Sequence, residues 1–188
     1  MDWRELILAS RLLASGQASQ ESLRRAVSTA YYAMFHALAT SNADLIVGPK
    51  TAANQEDWAR TYRSLQHIRA QNPLHGWPHL FPFSIQNFAH TIGSLKVERE
   101  DADYNPNINL VRDQVVTLID IAHRAILDFD SASPSERAMV AIATQRGEGD
   151  RNRNSARADR VTRDPSAIPQ HTASEGAATD GRSCTGAN

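Results

Sequence analysis

Two short constellations in this 188-residue chain bring together residue types that hold and move charge. The first is Arg99-Glu100-Asp101-Ala102-Asp103-Tyr104, followed by Asn105-Pro106. It sets an always-charged guanidinium five residues before a phenol, with three carboxylates around them. Asn105-Pro106 alone would suffice for a turn. An Arg and a Tyr placed with it point to a helix end that can hold a phosphate. The second is Arg25, Ser28, Tyr32 and His36, which follow one another at spacings of three, four and four. Such spacing puts all four on one helical face. A guanidinium, a hydroxyl, a phenol and an imidazole in a row can bind an anion. The bland alternative is a boundary stripe of half-buried Tyr and His beside a snorkelling Arg.

Both constellations need helices to position them, and apolar periodicity supplies these. Residues 2–15 carry Trp3, Leu6, Ile7, Leu12 and Leu13, and Gly16 is placed to end that helix. Ser19 can cap a second helix, with Glu21 well placed near its N-terminus. Leu23, Val27, Ala30, Met34 and Leu38 carry it to about Ala39, and Tyr31 and Phe35 widen its apolar face. So broad a face predicts a central helix packed on more than one side. Asn42–Ala53, with Gly48-Pro49, reads as a loop, and Asn54 with Asp57 resembles a capping box. A third helix over 55–70 would present Trp58, Tyr62, Leu65 and Ile68. Pro73, Gly76, Pro78 and Pro82 exclude a helix through 71–83. Ser84 can cap a fourth helix, with Ile85, Phe88, Ile92 and Leu95 inward and its end near Arg99. The fifth, over 107–130, carries Ile108, Val111, Val115, Leu118, Ile119, Ala122, Ile126 and Phe129. Pro134 can open a short sixth helix ending near Ala143. No strand pattern or internal repeat occurs. The expected fold is all-α, an antiparallel up-and-down bundle of four main helices with short extras over residues 1–143. Residues 144–188 hold almost no large apolar side chains and read as a disordered polar tail with a mildly basic run, Arg146 to Arg163. A weak, salt-sensitive RNA-binding arm is the sharper reading of that tail.

Other candidate sites are weaker. Arg60 and His67 share a face on the third helix by spacing alone. Glu98, Glu100, Asp101 and Asp103 supply oxygens that Mg²⁺ favours, but spread over a helix end they suit solvent or Arg99 better. Asp103 can otherwise cap the turn or the next helix. His75 and His79 could approach one metal without a third ligand nearby. P-loop, dinucleotide-binding and HExxH patterns are absent.

A hydrophobic fraction of 41% and a formal net charge of −1 fit neither a membrane protein nor a strongly cationic nucleic-acid binder. The apolar runs stop well short of the roughly 18 residues a transmembrane helix needs. The charged N-terminus lacks a secretory pattern. Cys184 is the only cysteine, so disulfides within the chain and Cys-based metal clusters are excluded. A cytoplasmic location is the expectation.

Arg25-Ala26-Val27-Ser28-Thr29-Ala30-Tyr31-Tyr32-Ala33-Met34-Phe35-His36-Ala37 resembles the SxAYYAMFHA helix of HEPN-domain proteins, in the small prokaryotic branch of stand-alone domains. Arg99 to Pro106 resembles that branch's RxxADYxP element, which precedes the final long helix. The resemblance covers roughly residues 5–130. It implies a compact antiparallel helical bundle that forms a homodimer. It also implies an RNA-related role, either as a metal-independent endoribonuclease or toxin of a toxin–antitoxin or defence system, or as a non-catalytic scaffold. In the nuclease version an Arg holds the scissile phosphate, and a His four to six residues on moves protons as the 2′-hydroxyl attacks, without metal or cofactor. By that match Arg99 holds phosphate, with Arg25 and Tyr32 beside it. Tyr104 stands where the His would be, and His36 is the remaining imidazole. A phenol of pKa near 10 is a poor general base at neutral pH. The scaffold version docks a nucleotidyltransferase-type antitoxin, with Tyr104 or Tyr32 as a target of modification.

Overall fold

A computed structural model describes residues 2–65 and 81–145. Among them the chain is entirely helical apart from turns and connections. The helices are α1 (Trp3–Leu13), α2 (Gln20–Val47), α3 (Gln55–Ser64), α4 (Phe83–Tyr104), α5 (Arg112–Ser131) and α6 (Pro134–Gln145). The tail assigned to 144–188 lies outside the described residues except for Thr144 and Gln145, which close α6.

α2 is the central helix and packs against each of the other five. Its Ala26, Ala30, Ala33, Ala37, Ala39 and Ala43 are buried, and their small side chains let neighbours approach from several directions. Tyr31, Met34 and Leu38 fill the spaces between. A helix that is apolar most of the way round belongs in the middle of a bundle. From α4 and α5, Phe88 and Phe129 meet with ring centroids 4.4 Å apart, both essentially excluded from water.

α2 runs eight residues beyond the expected end at Ala39. Ser41 and Asn42 are indifferent helix formers when exposed, but here they are buried. Asn42 Nδ2 donates to Thr144 Oγ1 at 2.9 Å, so contact with α6 outweighs local propensity. Gly48 then stops the helix at φ 95°, a left-handed conformation few other residues adopt. The loop is accordingly only Gly48 to Asn54. Asn54 does not form the expected capping box. Its Oδ1 accepts from Thr51 N at 2.7 Å and Thr51 Oγ1 at 3.0 Å, which ties the loop to itself. α3 ends at Ser64 rather than near 70, because Leu65 is extended. Of the apolar residues on α1, Leu12 turns outward and is 65% exposed, while Trp3 and Ile7 are buried. The true capping box lies at α6: Ser133 N donates to Glu136 Oε2 at 2.8 Å and Glu136 N to Ser133 Oγ at 3.3 Å.

Two corrections bear on the site. α4 starts at Phe83 on Pro82, and it ends at Tyr104, not Arg99. The Arg99–Tyr104 element is therefore the last turn and a half of a helix rather than a turn after one. α5 starts at Arg112, so Ile108 and Val111 lie before it rather than on it. Pro106 cannot donate to a helical ladder. The segment from Asn105 to Leu110 instead gives its carbonyls to α2: Arg24 takes Asn105 O at 2.8 Å and Ile108 O at 2.9 Å, and Gln20 takes Leu110 O at 2.9 Å.

Asp130, half-buried on α5, has its carboxyl pushed above the ordinary carboxylate range by burial, partly offset by Arg137 and Arg4. A group whose folded pKa is raised contributes stability below the unfolded value, and that stability is lost as pH rises through the folded value. Asp130→Asn is thus expected to raise the melting temperature at pH 7 and leave it unchanged below about pH 4. The gain stays under about 1 kcal/mol because solvent screens a half-exposed group. Thermal melts of the two proteins across pH 3–8 check this, and an equal difference at every pH would exclude titration as its cause.

Candidate functional site

The first turn of α2 and the last turn of α4 lie side by side and leave an open cleft of about 340 Å³ between them. Glu21, Arg24 and Arg25 line it from α2, and Ala102, Asp103 and Tyr104 from α4. Sequence order gives no hint of this meeting, since the two turns are about eighty residues apart.

Each side has its own anchor. On α2, Ser19 caps the helix, its Oγ accepting from Ser22 N at 3.2 Å. The Glu21 carboxyl is held below its ordinary range by backbone hydrogen bonding at the helix start and by Ser19. On α4, the last carbonyls lack helical partners. Arg24 supplies them: its Nη1 donates to Ala102 O and to Asn105 O, each at 2.8 Å. Its Nη2 donates to Ile108 O at 2.9 Å and reaches Pro106 O at 3.5 Å. One turn earlier, Gln20 exchanges two hydrogen bonds with Leu110, N to Oε1 and Nε2 to O, both 2.9 Å. Arg24 and Gln20 thus fix where α4 stops and where the chain leaves the cleft.

Arg99 is the centre of the site. Its Nη2 donates to Tyr32 Oη at 3.2 Å. Its guanidinium lies 5.7 Å from the Tyr32 ring centroid and 5.5 Å from that of Tyr104, within the range of cation–π attraction. Arg99 Nε is 2.8 Å from Asp103 Oδ2. It is nonetheless buried without an aligned hydrogen-bond acceptor, so the contact with Asp103 is an ion pair and not a directed bond. Burial works against the charge of Arg99, but Tyr32, Asp103 and Tyr104 outweigh it and hold the guanidinium above its ordinary pKa. Asp103 is also tied to α2, accepting from Ser28 Oγ at 2.5 Å. It caps neither the turn nor the next helix.

The four residues of the α2 stripe divide between two settings. Arg25 is exposed at the cleft, and Ser28 holds Asp103. Tyr32 lies between Arg99 and His36, its ring stacked on the imidazole with centroids 6.3 Å apart. His36 is stacked on Tyr62 of α3 at 5.7 Å and hydrogen-bonded through Nδ1 to the Tyr62 hydroxyl. Trp58 extends the stack at 5.0 Å and donates through Nε1 to Asp44 Oδ1 at 2.7 Å. The described geometry therefore gathers Tyr32, Asp103 and Tyr104 about Arg99, with Ser28 behind Asp103, and Arg25 joins them only through the cleft that Asp103 and Tyr104 line. It places His36 one ring further on, in an aromatic stack. Tyr104 is 73% exposed at the cleft mouth.

The acidic residues do not gather into a cation site. Glu100 pairs with Lys96 at 2.6 Å while Asp103 turns to Arg99. Among the described residues, no group of three or more His, Cys, Asp or Glu is placed to hold a metal ion. No described helix is long and apolar enough to cross a membrane. His67, His75 and His79 lie outside the described residues.

Sequence reasoning passed over Arg24 and Gln20. A signal was present: Gln20 and Arg24 continue the polar stripe back from Ser28 at spacings of four. Comparison of the chain with family models, characterised proteins and solved structures gave no match.

Proposed function

We propose that this chain is a HEPN-like antiparallel helical domain that binds RNA through a phosphate at the α2–α4 cleft and does not cleave it. The observation that carries this is the seating of Arg99. Its charge is held between two phenol rings, with Nε lacking an aligned acceptor, and its neighbours Asp103 and Tyr104 line the cleft together with Arg25. A guanidinium with an unmet donor suits a phosphate oxygen, and an exposed aromatic ring suits an unstacked base. Binding is favoured over cleavage by the setting of His36. Its Nδ1 is engaged by Tyr62, and Tyr32 stands between it and Arg99. Tyr104, the other candidate for moving a proton, is a phenol.

A purified sample incubated with cellular RNA in EDTA tests this. The expected result is RNA retained at low salt, released as salt rises, and unchanged in length. Shortened RNA with EDTA present would instead establish the metal-independent endoribonuclease or toxin, with Arg99, Tyr104 and His36 as its catalytic set.

A second reading has its own observation. Phe83, Val97 and Tyr104 are all strongly exposed and fall at multiples of seven along α4. A line of apolar groups on one long helix suits a second helix laid against it. It favours a dimeric scaffold that docks a partner of the nucleotidyltransferase type, with Tyr104 in reach of modification. Sedimentation and RNA retention of Val97→Glu and wild type together separate the two: a dimer that becomes a monomer, in a protein that retains no RNA, supports the scaffold.

A further inference from the structure

We propose that Asp103 is a built-in competitor for the phosphate site. Its carboxylate occupies the position on Arg99 and Ser28 that an RNA phosphate takes, so binding requires Asp103 to turn away. The inference rests on the RNA-binding proposal and adds the residue that sets its strength.

Both carboxylate oxygens are in use, and by different helices. Oδ2 lies 2.8 Å from Arg99 Nε on α4, and Oδ1 accepts from Ser28 Oγ on α2 at 2.5 Å. An anionic group bridging a guanidinium and a hydroxyl is what a phosphate in this place would be. Yet the fit to Arg99 is imperfect, since Nε is buried without an aligned acceptor. Asp103 is tethered four residues along the same helix, whereas a phosphate entering from the cleft has no such tether. Helix stability does not account for Asp103 either. A carboxylate in the last turn opposes the helix dipole, and an acid placed four residues after a base is the weaker order for a helical ion pair. The Asp103 side chain is about one-fifth exposed and lines the cleft, so an incoming ligand reaches it.

The test is the binding of a short single-stranded RNA in EDTA by wild type, Asp103→Asn and Asp101→Asn. Asn at 103 keeps the shape and an acceptor for Ser28 while removing the charge. Asp101 is exposed on the same helix and serves as a control for net charge. A partly exposed ion pair is worth up to about 1 kcal/mol, so Asp103→Asn is expected to bind about fivefold tighter. Asp101→Asn should gain less than about twofold, as a charge away from the site is screened. Equal gains for the two variants, or weaker binding by Asp103→Asn, would overturn the competitor role while leaving RNA binding in place. Failure of all three proteins to bind would overturn both proposals together. The Arg99 Nε–H proton signal gives a readout in the unmutated protein. It should move when RNA is added, and an unmoved signal with RNA bound would also overturn the role.

Discussion

Arg24→Ala is expected to cost roughly 2–4 kcal/mol and to lower the melting temperature by on the order of 10 °C. The Arg24 guanidinium donates to the carbonyls of Ala102, Asn105 and Ile108 at 2.8–2.9 Å, with Pro106 O at the limit of reach. Hydrogen bonds from a charged donor each contribute more than neutral ones, and carbonyls left without a donor are penalised for lost hydration. Water reaches the outer part of this turn, which keeps the loss well below the sum over all the acceptors. The neighbouring Arg25→Ala is the control. Arg25 is exposed, and among the described residues its guanidinium makes no hydrogen bond or ion pair, so its loss should stay within about 0.5 kcal/mol. Arg24→Lys should recover little, because a compact ammonium cannot span carbonyls from Ala102 to Ile108 as a planar fork does. Thermal melts of the three variants decide the matter. Equal stability of Arg24→Ala and Arg25→Ala would remove Arg24 from its role as the fastener of the α4–α5 connection.

The second large effect is on binding. Arg99→Ala is expected to weaken RNA binding at least about tenfold, the loss of one charge-assisted phosphate contact. It should destabilise the fold by less than Arg24→Ala, because Asp103 keeps its bond from Ser28 and remains partly in water. Arg99→Lys should recover binding only in part. Lysine restores the charge but not the flat guanidinium that Tyr32 and Tyr104 flank. Tyr32→Phe removes only the hydroxyl that accepts from Arg99 and should lie between wild type and Arg99→Ala. Full recovery by Lys would mean that charge alone matters and that the two rings do not orient Arg99.

Much of the fold was legible because it rests on period and caps. That α2 packs on more than one side was visible in the width of its apolar face, and Ser19 and Pro134 marked helix starts. The misplaced boundaries share a physical cause. Ser41 and Asn42 stay helical because α6 covers them, and residues 107–111 leave the helical path because Pro106 and Arg24 redirect the chain. Neither influence is local, so neither shows in a window of sequence. At the site, spacing on α2 identified Tyr32 and Ser28, and the placing of a guanidinium five residues before a phenol, ahead of Asn105-Pro106, marked Arg99. What spacing could not give is the partner of each group. That Arg99 meets Tyr32 across 67 residues, and that Asp103 meets Ser28 rather than a backbone amide, depends on how two helices lie together. The stripe also appeared to put His36 in the same site as Arg25. Tyr62, contributed by α3, engages His36 Nδ1, and the imidazole reaches Arg99 only through the Tyr32 ring on which it stacks.

The most direct measurement is RNA affinity against salt concentration, in EDTA, for wild type and Arg99→Ala side by side. Each phosphate contact adds close to one unit to the slope of log affinity against log salt. If Arg99 holds a phosphate, the wild-type slope exceeds that of Arg99→Ala by about one and the RNA remains full length. Parallel lines for the two proteins, or no binding by the wild type at low salt, would contradict an RNA phosphate at Arg99.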